Sequence, residues 1–358
     1  MRIGIPKEIK PNEGRVALTP GAVAQLVQDG HELLLQAGAG VPSGYRDDEY
    51  RRAGGRIVPD AAALYGEAEL VLKVKEPQPA EYGLFRPEQL LFSFLHLPTT
   101  VPLARALCER GVTAVAFESL EEHGRMPLLA PMSDIAGRLA VQIGATLLHG
   151  YRGGRGLLLG GVEGAEAGTV VVLGAGVAGC SAARAAAALG ARVIVCARRP
   201  ERARELLPPE RIAVEACESA AIERAVLEAD LVIGALRVPS GIAPKLVSAA
   251  TVRRMRPGSV IVDVCIDQGG CIETTRATSY DAPTYVRDGV VHFAVANMPG
   301  AVPRTASQAL SAALLPYARR LAALGTRRLI EDDALARAVN VAGGRIVHPE
   351  VAASVAAS

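Results

Sequence analysis

Tryptophan is absent from these 358 residues, and aromatic side chains make up only 4%. So few rings argue against base-stacking or carbohydrate-stacking surfaces. Charge of one sign is also lacking: 39 Lys and Arg stand against 37 Asp and Glu, a formal net of +2. That balance argues against a nucleic-acid binder and against an acidic disordered tail. No uncharged apolar run reaches about 18 residues, so no membrane span is expected. The start, MRIGIPKEIKPNEGR, is charged and lacks the apolar stretch of a signal peptide. Six cysteines, at 108, 180, 196, 217, 265 and 271, include no C-x-x-C pair and no short disulfide framework. They read as small buried apolar residues in a reducing compartment, and the expected location is the cytoplasm. The six histidines show no H-x-x-x-H or H-E-x-x-H spacing, so no metal is expected. There is no G-x-S-x-G nucleophile elbow either.

What is present is aliphatic: hydrophobic residues reach 50%, with 37 glycines for tight turns. The length suggests about two domains. Strands are expected at 1–6, 31–38, 70–74, 90–97 and 112–118, alternating with helices at 20–30, 47–54, 60–66 and 101–110. After a long helix at 132–150, a second series begins at 169, with further strands at 192–196, 230–234, 259–264 and 290–295. Helices at 304–324 and 331–339 follow, then a turn-rich tail. This alternation predicts an α/β fold with parallel sheets. The expected division is a discontinuous substrate domain, 1–130 plus 301–358, and a dinucleotide-binding domain, 131–300.

The strongest local motif is TVVVLGAGVAGCSAARAAAALGARVIVCARRP. Gly174, Gly176 and Gly179, with Ala175 and Val177 among them, form G-x-G-x-x-G between a strand and a helix. The first glycine permits the tight turn, the second a close approach of pyrophosphate, and the third close helix–strand packing. The helix N-terminus offers free N–H groups to the phosphates. Eighteen residues on, an NAD site usually carries an acidic residue for the ribose 2′-OH. Here Ala197 stands there, followed by Arg198 and Arg199. Guanidinium groups suit a 2′-phosphate, so NADP(H) is favoured over NAD(H). If the arginines are only solvated loop charges, NAD remains open.

Several blocks in order carry a wider resemblance: GIPKEIKPNEGRVALTP, LVLKVKEPQPAEYGLFRPEQLLFSFLHL, PLLAPMSDIAGRLAVQIGA, VVVLGAGVAG, GSVIVDVCIDQGGCIETT and VANMPGAVPRT. Over nearly its whole length the chain resembles the alanine dehydrogenase/pyridine nucleotide transhydrogenase family. That resemblance implies two Rossmann-like domains with the active-site cleft between them, a homo-oligomer (usually a hexamer), and NAD(P)-dependent oxidative deamination of L-alanine to pyruvate and ammonia. It implies that Arg15 and Lys75 bind the oxo acid and that His96 and Asp267 are the catalytic pair. Ser133, Leu236, Asn297 and Met298 join the glycine turn at the cofactor.

The chemistry needs a carboxylate anchor, a group polarising the carbonyl or carbinol oxygen, and a proton shuttle. A guanidinium suits the anchor, and a histidine side chain suits the shuttle because it titrates near neutrality. A carboxylate stabilises a developing cationic imine. Lys73 competes with Lys75, and His96 also reads as a satisfied core group closing the strand LLFSFLHL. Asp267 reads as the end of the strand SVIVDVCID, with Asp263 embedded in the sheet. Three departures from the family pattern bear on substrate and cofactor: Ala197, the loop Leu236–Lys245 with Arg237, and HLPTT after His96. They leave two alternatives, an NADP-dependent dehydrogenase acting on another small 2-oxo acid and, more remotely, a transhydrogenase-like nucleotide-binding subunit.

Overall fold

A computed structural model describes residues 1–208, 210–238 and 241–356. The chain forms two compact units, Met1–Met132 with Gly300–Ser358, and Ser133–Pro299. The strands in chain order are β1 (Arg2–Ile5), β2 (Glu32–Gln36), β3 (Arg56–Val58), β4 (Leu70–Leu72), β5 (Leu90–Ser93) and β6 (Thr113–Ala116). Then come β7 (Thr169–Leu173), β8 (Arg192–Ala197), β9 (Ile212–Ala216), β10 (Leu231–Gly234) and β11 (Val260–Asp263). The series ends with β12 (Thr284–Arg287), β13 (Val290–Phe293), β14 (Val339–Ala342) and β15 (Arg345–Ile346).

The first unit holds one sheet in the order β3-β2-β1-β4-β5-β6-β14-β15. Its first six strands are parallel. They are apolar because helices cover such sheets on both faces. Leu33, Leu34, Leu35, Leu70, Val71 and Leu72 are at most 1% exposed. The second unit holds the order β9-β8-β7-β10-β11-β13-β12, parallel except for the β12 edge. Counted within its own unit, the first sheet runs 3-2-1-4-5-6-7-8 and the second 3-2-1-4-5-7-6, so both share the doubly wound order 3-2-1-4-5. Ligands bind such sheets at the carboxyl ends of the strands beside the order reversal. Those switch points lie between β1 and β4 and between β7 and β10.

The structure corrects several expected boundaries. The tail after 339 is not merely turns: β14 pairs antiparallel with β6, and the helix Pro349–Ala356 follows β15. Gly343 and Gly344, both at positive φ, make the two-residue hairpin loop between β14 and β15, a conformation that glycine adopts without a side-chain penalty. The helix expected at 331–339 shrinks to Asp333–Arg337. Edge strands β3, β9 and β12 were not expected; β12 is largely exposed and β9 only half-buried, so neither carries the long apolar run of a central strand. The expected strand 90–97 stops at Ser93, its last pairing with β6. The strand expected to end at Asp267 ends at Asp263, and Asp267 falls in a 3-10 turn, Val264–Gln268. After β5, the Glu118 carboxylate takes the Leu95 and His96 backbone donors that a longer strand would have offered to its neighbour.

Candidate functional site

In the first unit, three expected residues lie in segments that follow the carboxyl ends of adjacent strands: Arg15 after β1, Lys75 after β4 and His96 after β5. The loop after β1 is fixed from far along the chain. Ser307 and Ser311, on the helix Pro303–Leu324, accept from Val16 N at 2.9 Å and Thr19 N at 3.0 Å. Arg15 is only 2% exposed, so it is no solvated loop charge. Its Nε donates to Glu13 Oε1 at 2.7 Å, a second guanidinium nitrogen pairs with Glu13 Oε2, and Nη1 lies 3.2 Å from Met132 Sδ. A guanidinium has five N–H donors in a fixed fork, so Glu13 orients it without exhausting it.

The two lysines separate clearly. Lys73 is buried, with Nζ 2.8 Å from Glu81 and 3.3 Å from Glu8. Burial opposes its charge, but the two carboxylates outweigh burial and hold its pKa above the ordinary lysine value. One ammonium cannot fully offset two buried carboxylates, and burial pushes the Glu8 carboxyl up. Lys75 is half-buried rather than sealed in. Glu8 accepts from Val74 N at 2.7 Å and Lys75 N at 3.4 Å, so it holds the backbone beneath Lys75.

His96 sits in a left-handed backbone conformation, φ 47°. Such strain persists only where surrounding structure enforces it. Here Glu118 does so, accepting from His96 N at 2.5 Å and from Leu95 N at 3.2 Å. The imidazole is partly exposed, stacks on Phe94 at 6.1 Å between ring centroids, and has Nδ1 3.9 Å from Glu118 Oε1. It is therefore neither a strand residue nor a core histidine.

In the second unit the three glycines differ in what surrounds them. Gly174 has φ +106°, and a Cβ there would lie 2.7 Å from Ala235 O and 3.1 Å from Leu236 Cδ2. A Cβ at Gly179 would lie 1.9 Å from Gly174 O, whereas one at Gly176 would meet nothing within 4 Å. Gly174 and Gly179 thus close the turn, and Gly176 leaves its outer side open at the N-cap of the helix Val177–Ala188. Ala175 and Val177 flank that open position, Val177 50% exposed. The cradle fits a pyrophosphate: backbone donors, a helix N-terminus and no side chain in the way. Ser181 donates to Asp134 O at 3.0 Å and to the Asp134 carboxylate, which anchors the neighbouring Ser133.

At the end of β8, Ala197 is buried while Arg198 and Arg199 are exposed. Beyond β10, Leu236 touches the glycine turn and Arg237 is exposed. Val238 and Gln268 exchange hydrogen bonds of 3.2 and 2.9 Å, tying this loop to the turn holding Asp267. Pro239 and Ser240 of the same loop lie outside the described residues. Asp267 Oδ2 is 3.5 Å from Asn297 N, and Asn297 takes a left-handed φ of 57° beside buried Met298. Asp263, by contrast, is sealed in and accepts from Cys271 N at 3.0 Å and Thr275 Oγ1 at 2.7 Å.

Two family profiles match, Alanine dehydrogenase/PNT, N-terminal domain, over residues 4–136, and Alanine dehydrogenase/PNT, C-terminal domain, over residues 140–349. The chain belongs to the alanine dehydrogenase/PNT family. It is 48% identical to an alanine dehydrogenase of Bacillus subtilis (strain 168) over 98% of this chain and 94% of that protein. Among solved structures, an L-alanine dehydrogenase superposes with a TM-score of 0.96 at 50% identity, covering 100% of this chain and 99% of that one. A transhydrogenase from Sinorhizobium meliloti is more distant, with a TM-score of 0.86 at 28% identity over 98% and 99%. The two mainly parallel sheets of this chain are thus those of an alanine dehydrogenase fold.

Sequence reasoning missed the carboxylates behind these residues: Glu13 on Arg15, Glu8 under Lys75 and Glu118 on the backbone of His96. Glu13 carried a faint signal, two residues before Arg15. Glu118 carried none, since the pairing of β5 with β6 brings it to His96 from 22 residues away.

Proposed function

We propose that this chain is an amino-acid dehydrogenase catalysing the reversible NAD(P)-dependent oxidative deamination of L-alanine to pyruvate and ammonia. One observation carries the reading: likeness to alanine dehydrogenases spans nearly the whole chain. Arg15, oriented by Glu13, grips the substrate carboxylate. Lys75 polarises the carbonyl or carbinol oxygen. His96 moves the proton to and from that oxygen as water adds to or leaves the imine carbon. Asp267 stabilises the cationic imine and steers ammonia. A nicotinamide dinucleotide on the Gly174–Gly179 cradle supplies the hydride acceptor. Ser133, Leu236, Asn297 and Met298 line its place.

For the cofactor, Ala197 with exposed Arg198 and Arg199 supports NADP(H) over NAD(H). A homo-oligomer, a hexamer by family resemblance, and a cytoplasmic location belong to the same reading. No described helix is long and apolar enough to cross a membrane.

Pyruvate, glyoxylate and 2-oxobutyrate, each with ammonia and NADH or NADPH, test the substrate assignment. Pyruvate should give the highest kcat/KM; a higher value for another oxo acid overturns alanine as the substrate. His96→Ala should lower kcat by about 10²- to 10⁴-fold, while NAD(P)H binding, read by fluorescence, survives. Undiminished turnover in that variant refutes the mechanism.

A further inference from the structure

Six thiols spread along the sequence show no metal-binding spacing, yet the fold gathers two of them around one carboxylate. Asp263 ends β11 at 0% exposure, and Cys265 and Cys271 are 5% and 0% exposed. One ligand atom from each lies within 4.8 Å of the other two. We propose that Asp263, Cys265 and Cys271 form a binding site for a thiophilic divalent cation of the zinc or cadmium class.

The geometry is close to what such an ion requires. Tetrahedral zinc, with metal–sulfur bonds of about 2.3 Å and metal–oxygen bonds of about 2.1 Å, needs S···O edges of about 3.6 Å. Cys265 Sγ is 3.0 Å and Cys271 Sγ 3.9 Å from Asp263 Oδ1, so the two edges straddle that value. Thr275 Oγ1, 2.7 Å from Asp263 Oδ2, holds the other carboxylate oxygen in place, and a water can complete the set. Gly269 and Gly270, at φ +85° and +73°, bring the chain back round the carboxylate. A methyl at Gly270 would lie 2.6 Å from Asp263 Oδ2, so the enclosure depends on that glycine.

Two sulfur ligands select soft cations over magnesium or calcium. Without a cation, the hydrogen bond with Cys265, burial and the Asp263 carboxylate push the Cys271 thiol well above its ordinary range. Binding replaces the two S–H protons, which pass to water, with two sulfur–metal bonds. The ligands at 263, 265 and 271 bracket Asp267 within one turn. An occupied site would lock that turn, so soft cations should alter turnover through Asp267.

Full-length protein titrated with Cd²⁺ tests this by the ultraviolet thiolate-to-cadmium charge-transfer band. A single tight equivalent should appear, and Cys265→Ala should remove it. Cys217→Ser, a change at a half-buried thiol outside the cluster, should keep it. A Cd²⁺-dependent rise in Tm, present in the wild type and absent in Cys265→Ala, gives a second readout independent of the charge-transfer band. No tight band in the wild type, or an undiminished band in Cys265→Ala, overturns the proposal.

Discussion

The two units share one topology and differ in what fills the first loop of the sheet. Counted within its own unit, each sheet begins 3-2-1-4-5 and reverses beside its first strand. After β7 the chain makes a turn of small residues whose glycines fit against backbone carbonyls, leaving donors and open space. After β1 it makes a charged loop, with Glu8, Glu13 and Arg15 all at most 9% exposed and paired. The first solution offers backbone N–H groups to a ligand's phosphates. The second offers charged side chains, each held by a partner of opposite charge. Topology alone therefore selects the edge at which ligands meet the sheet; the loop residues decide which chemistry occurs there.

The largest expected effect breaks the charged loop. Lys73→Ala leaves Glu8 and Glu81 buried without their cation and should cost about 3–5 kcal/mol of stability, read by denaturant unfolding. Lys75→Ala should leave stability nearly unchanged and reduce kcat/KM instead. Equal destabilisation by both would erase the distinction between the two lysines. Because the Lys73 pKa is raised, its contribution is full below the ordinary lysine value. It is lost only as pH rises through the raised value.

Breaking the glycine turn comes next. Gly179→Ala drives a methyl into Gly174 O and should weaken dinucleotide binding about 100-fold, roughly 2.7 kcal/mol. Isothermal titration with NAD(P)H measures it, and wild-type affinity would contradict this tight packing of the turn. Glu118→Gln is milder: the amide oxygen can still accept from the His96 backbone, but the charge near Nδ1 is lost. We expect kcat to fall about tenfold with KM little changed. A changed KM with kcat unmoved would assign Glu118 a purely structural role. The smallest effect is in cofactor choice. Replacing Arg198 and Arg199 by Ser with Asp restored at 197 should shift the NADPH-to-NADH ratio of kcat/KM about tenfold toward NADH. An unmoved ratio would mean that these arginines do not read the 2′-phosphate.

Much of the fold is legible in the chain itself. The runs ELLLQ, LVL, LLFS, TVVVL and LVIG are apolar enough to be recognised as central parallel strands, because both of their faces are covered. The glycine turn is legible because only glycine tolerates those backbone approaches. The edges are not: β9 and β12 lack such a run, and β14 pairs with a strand more than 200 residues earlier. Their apolar neighbours suggest strand ends for His96 and Asp267, but both sit in turns, that of His96 held by the distant acceptor Glu118. Composition and local pattern determined the α/β class, the dinucleotide turn and the residue types able to do the chemistry. Only tertiary structure decided which lysine is sealed in, which carboxylate holds the histidine, and that Cys265 and Cys271 meet at Asp263. Those outcomes depend on which strands become neighbours, and a residue's own sequence neighbourhood does not carry that information.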